Sequence, residues 1–225
     1  MQIQISHVRR RDTHRLILSK YSKGNESVLT GISNNDAHLS DIFELDSATN
    51  DRLLAENQLL PGIGVQELVF GFPLASIVIA SFTHAHPLGG RFNGPDRGAW
   101  YAGYELRTSQ TEVAFHKSLE LAEIDRFVDK VTYDDYQADF NCEFHDLRNV
   151  PVAIDCLNPT SYIASQTLAD ELLNAGSQGI VYPSVRRAGG TCICCFRPVQ
   201  VSNVRKGPRY QFMWDGSPDP IISRL

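Results

Sequence analysis

The apolar residues of this 225-residue chain come in short bursts set apart by polar turns, and strand-type and helix-type bursts do not alternate strictly. That rhythm constrains the fold more than any other feature. Strand patterns are read at residues 14–20, in the apolar runs of Leu68 to Phe82, at residues 127–148 with acidic turns breaking the alternation, at Gln178 to Ser184, at Thr191 to Arg197 and at Tyr210 to Trp214. Helix patterns are expected at Asp51 to Leu60, stopped by Pro61-Gly62; after Thr108 or Ser109, with Val113, Phe115, Leu119 and Ala122 facing inward; and from Asn158-Pro159-Thr160 to a C-cap at Gly176. About seven or eight strands with two or three helices in this order argue for an α+β fold of mixed or antiparallel sheets and against a doubly wound one.

The length suits one well-filled core, with residues 1–50 forming an N-terminal strand and irregular extension and residues 51–225 the main domain. Ser22 to Asp51 is polar and carries no motif. A formal charge of -5 argues against a general nucleic-acid or membrane-surface binder, and the basic run His7 to Arg11 is expected to be solvated. The longest apolar region, Leu68 to Ala80, is interrupted by Gly71, Pro73 and Ser76, and the first residues lack a signal-peptide core, so the expected location is cytoplasmic. Five cysteines do not make a disulfide framework. With a period of two, Cys192 and Cys194 share one strand face and Cys195 takes the other, so they are read as buried thiols and no metal is expected.

The chemistry concentrates between Gly89 and His116. Arg91 sits in a glycine-flanked turn, Tyr101 ends a short aromatic run, and Glu112 falls early in a helix. Cation, aromatic face and carboxylate together fit an anionic, partly aromatic ligand. Each also has a structural reading: Arg91 and Arg97 as solvated loop residues, Trp100 and Tyr101 as core, and Ser109-Gln-Thr-Glu112 as a capping box in which Glu112 reaches back to a backbone N–H. His116, one turn after Glu112, is either its partner or an ordinary helix residue. There is no Gly-x-Gly-x-x-Gly, Walker loop or Gly-x-Ser-x-Gly.

These pieces, in order, resemble the RES-domain family, named for an arginine, a glutamate and a serine. The matching residues are Gly90-Arg91-Phe92, Trp100-Tyr101-Ala102, Thr111-Glu112 with His116, Ser165-Gln166, Gly179 to Arg186 with Gly189-Gly190, and Trp214-Asp215-Gly216. The likeness covers roughly residues 50 to 216, with Arg15 matching an arginine on the family's first strand. It implies a fold similar to ADP-ribosyltransferases and cleavage of the nicotinamide–ribose bond of NAD by hydrolysis or phosphorolysis. Inorganic phosphate would be the co-substrate in the second case, and no cofactor is implied beyond NAD itself. Many members are toxins held inactive by a small helix-turn-helix antitoxin. By resemblance, Glu112, Arg91, Tyr101 and Ser184 are the catalytic set, with Arg15 and Arg186 joining Arg91, Tyr101 and Ser184 in binding NAD. Transfer of ADP-ribose to a macromolecule, or a catalytically silent nucleotide-binding module, are the rival readings.

Overall fold

The computed structural model describes residues 3–22, 62–150 and 154–225, and every structural statement below concerns these. The expected helix at residues 51–60, and most of the polar stretch before it, lie outside them. In chain order the elements are β1 (Ile5–Leu18), α1 (Ala75–Thr83), β2 (Trp100–Gly103), α2 (Leu106–Glu123), β3 (Val128–Asp146), α3 (Ile163–Asn174), β4 (Gly179–Pro183), β5 (Thr191–Cys195), β6 (Ser202–Asp215) and β7 (Ile221–Arg224). Among the described residues this is one mixed seven-stranded sheet with three α-helices, an α+β architecture. None of the helices is long and apolar enough to cross a membrane.

The 19-residue β3 is the spine. It pairs antiparallel with β1 from His145 opposite Ile5 to Tyr133 opposite Leu18, and antiparallel with β6 from Val128 opposite Asp215 to Asp139 opposite Ser202. At its far end it pairs in parallel with β4, His145 beside Ile180. From β4 the sheet runs through β5 to β2, and β2 returns to β1 where His14 meets Gly103, so five strands close on themselves. β6 and β7 extend the sheet beyond β3.

Three expectations are corrected here. The apolar run before Phe82 does not form strands: its second half is α1, which buries Ala75, Val78 and Phe82 at helical spacing against a core that includes Trp100, Ile193 and Phe140. A short apolar run fits either period, and packing decided it. Within residues 127–148 the structure has one unbroken strand, β3, because the acidic pair Asp134 and Asp135 is buried and paired inside it. Arg209, Lys206 and Ser22 reach Asp134, while His14 and Gln137 reach Asp135. Burial alone would raise the Asp134 carboxyl, yet these donors hold it well below its ordinary range. Finally, β1 starts earlier than read and takes in the basic run, leaving Arg9 and Arg11 exposed on the strand.

Arg97 is no solvated loop residue. It is buried and grips Glu67 with two parallel bonds of 2.9 Å, while Arg197 adds a third at 2.7 Å. The same two arginines donate to the carbonyls of Gly62, Phe196 and Leu173, tying the turn before α1 to the ends of β5 and α3. The hydrogen bond from Arg97, against the cost of desolvation and with help from Arg197, brings the Glu67 carboxyl from 4.5 down to about 2. A carboxyl depressed in the folded state stabilises the protein above its unfolded value and loses that contribution as pH falls from about 4.5 toward 2. Thermal unfolding followed across that window should show an acid-side loss of stability that is reduced in Glu67→Gln; equal slopes for the two proteins would show that the network contributes nothing.

Candidate functional site

Glu112 stands on α2, and the start of that helix removes its capping-box reading. The helix begins at Leu106, with Glu105 as the N-cap residue, so Glu112 lies two turns inside and is not a capping-box residue. Nor does Ser109 cap: its hydroxyl donates to the carbonyl of His14 at 2.5 Å and accepts from the N–H of Gly103 at 2.9 Å, locking α2 onto β1 and β2. The face so defined buries Ser109 and Leu121 and packs Leu106 and Val113, while Leu119 and Ala122, expected inward, are exposed. Glu112 falls on the flank of that face.

Ser184 follows β4 directly, where the chain turns. Its hydroxyl donates to Glu112 Oε1 at 2.6 Å and accepts from the backbone N–H groups of Arg186 and Arg187 at 3.2 and 3.0 Å. The Ser184–Gly190 loop closes through Ser184 N–H to Gly190 O at 2.8 Å, and Arg187 fastens it to α2 by donating to Thr108 Oγ1 at 2.9 Å. The single proton of Ser184 is therefore spent on the carboxylate, and its part is to hold Glu112 and the loop together. Glu112 Oε1 also accepts from the Cys192 thiol at 3.8 Å.

Arg91 and Tyr101 meet through the turn before β2. The Tyr101 hydroxyl donates to Asn93 Oδ1 at 2.7 Å and accepts from Phe92 N–H at 2.8 Å, while Gln166 from α3 donates to the carbonyls of Leu88 and Gly90, both at 3.0 Å. The Arg91 guanidinium is buried, lies 4.6 Å from the centre of the Tyr162 ring and donates to the carbonyls of Asn158 and Cys156 at 2.7 and 3.2 Å. Burial lifts the Tyr101 hydroxyl well above 10, so it keeps the proton it gives to Asn93. Tyr101→Phe strands the buried Phe92 N–H, and we expect it to cost about 1–3 kcal/mol of stability in denaturant unfolding. An unchanged midpoint would show that the hydroxyl does not hold this turn.

The remaining residues divide. Arg186 reaches the site's rim, its guanidinium 3.5 Å from the Phe115 ring centre and bonded to Pro159 O. Partial desolvation lowers the His116 imidazole, Glu112 opposes this, and Arg186 and Arg91 lower it further, so three site charges act on one ring. No hydrogen bond joins His116 to Glu112 among the described residues; its ring lies edge-on to Phe115 at 5.5 Å. Arg15 sits apart on β1: it donates to Tyr101 O at 3.2 Å, lies 5.1 Å from the Trp100 ring centre and leaves its Nε buried without a partner. Burial draws it down to about 10, so it stays a cation at neutral pH. Sequence reasoning did not single out Cys192, Tyr182, Asn93 or Tyr162 as site residues. Strand parity put Cys192 on a definite face, but nothing local linked it to a glutamate 80 residues away.

A family model described as the RES domain matches residues 74–215. The chain belongs to the RES-domain family. The matched segment of this RES domain runs from α1 to the end of β6, so it holds Arg91, Tyr101, Glu112, Ser184 and Arg186, while Arg15 on β1 precedes it. No curated protein matches. Among solved structures, a chain of the M. tuberculosis MbcT–MbcA toxin–antitoxin complex is similar at 17% identity over 55% of this chain and 71% of that one, with a TM-score of 0.42. A likeness that loose decides neither fold nor function.

Proposed function

We propose that this RES domain cleaves the nicotinamide–ribose bond of NAD. The observation that carries the reading is Glu112, a carboxylate held through one oxygen by Ser184, with Arg186, Tyr101 and Arg91 on neighbouring elements. When the C–N bond breaks, both electrons leave with nicotinamide, which departs neutral, and positive charge develops at the ribose carbon. That reaction needs little acid catalysis and much electrostatic stabilisation, which a fixed carboxylate supplies. The new bond at carbon is then made by the oxygen of water, which loses a proton, or by phosphate. Arg91 and Arg186 supply positive charge for the pyrophosphate, and a Tyr101 ring face suits the cationic nicotinamide. Extending the family resemblance, we infer the role of a toxin restrained by a small helix-turn-helix antitoxin.

Mass spectrometry of products after incubation with NAD, with and without phosphate, tests this. Nicotinamide with ADP-ribose means hydrolysis; nicotinamide with ADP-ribose 1-phosphate only when phosphate is present means phosphorolysis. Intact NAD in both arms would sink the reading.

A further inference from the structure

Two donors converge on Glu112, and the proposed mechanism uses only one of them. Cys192 lies on β5 opposite Tyr182 of β4, on the face it shares with Cys194, Ile180 and Phe92, whereas Cys195 turns to the opposite core beside Trp100. Its thiol is buried and points its sulfur at Glu112 Oε1, the same oxygen that takes the Ser184 proton. Glu112 Oε2 accepts no hydrogen bond from any described residue. A carboxylate held at one oxygen by two donors, one in the turn after β4 and one on β5, cannot turn about its last torsion without losing both. The free oxygen thus keeps one direction.

We propose that Cys192 is a positioning residue: with Ser184 it pins Glu112 Oε1 and leaves Oε2 presented to the substrate. The thiol suits the task because it keeps its proton. Burial, with the Glu112 charge adding to it, pushes Cys192 far above the ordinary thiol range, so the donor stays in place at neutral pH. Its contribution to rate rests on the NAD-cleavage reading; the contact itself does not.

Two measurements decide it. In infrared spectra the S–H stretching band of Cys192, assigned by its loss in Cys192→Ser, should move to higher frequency in Glu112→Gln, because a neutral amide draws the thiol proton less than a carboxylate. A band that ignores Glu112→Gln overturns the proposal whatever the substrate. In turnover assays Cys192→Ala should lower kcat about tenfold with KM within about twofold, and Cys192→Ser, which keeps a donor, should recover to within about threefold of the original. An active wild type with unchanged kcat in Cys192→Ala overturns the positioning role and leaves NAD cleavage standing. Absence of turnover in the wild type removes NAD cleavage, and the infrared shift alone then decides the contact.

Discussion

Glu112→Gln is expected to cut NAD turnover by roughly two to three orders of magnitude while leaving thermal unfolding within about 2 °C of the original. The amide has the same shape, and its oxygen can still accept from Ser184 at the position Oε1 now holds, so the bond that fastens α2 to the β4 loop survives. No helix cap is lost either, since the helix starts at Leu106. What disappears is the negative charge, and a charge fixed where positive charge develops is worth far more in the transition state than in the ground state. KM should change little. Full activity would remove the carboxylate from the mechanism; a large drop in melting temperature would make it a structural residue.

Gly179→Ala is expected to act in the opposite way, unfolding the protein and taking activity with it. Gly179 opens β4 at φ +146, and an added Cβ would stand 2.1 Å from the carbonyl oxygen of Cys194 and 2.8 Å from the Phe144 ring. Neither neighbour can give: the carbonyl belongs to β5, paired residue by residue with β4, and Phe144 is fully buried. Backbone strain of about 1–3 kcal/mol adds to overpacking of similar size. The sum, about 2–6 kcal/mol, corresponds to a fall of roughly 5–20 °C in a protein of this length. Because β4 leads into Ser184, the bracing of Glu112 should fail together with the strand. A melting temperature within about 2 °C of the original would show that the two strands part easily here, contrary to the tight pairing.

Much of this organisation could be read from local pattern. Alternation and turn residues located β4 and β5 to within two residues, and the Gly176 stop ended the third helix where the chain leaves it at φ +84. Periodicity failed where two periods fitted equally well, as in the Ile-Val-Ile segment of α1. It also failed where buried charge looked like a turn: Asp134 and Asp135 read as chain-breaking until their partners on β1 and β6 are known. Strand β7 carried no signal, being four exposed residues at the sheet's end.

The site divides along the same line. Sequence alone determined which chemical groups exist and the order in which they occur, an arginine in a glycine turn, a tyrosine, a glutamate and a serine after a strand, because motif spacing is a property of the chain. Only the tertiary structure decided what each group is free to do. It committed the Ser184 proton to Glu112, the Tyr101 hydroxyl to the turn that carries Arg91, and the Arg91 fork in part to the carbonyls of Cys156 and Asn158. It also set the Cys192 thiol against the carboxylate. A hydrogen bond depends on distance and direction between atoms, and elements that meet across 72 residues at Glu112 and Ser184 and across 80 at Glu112 and Cys192 set both, where no local pattern can.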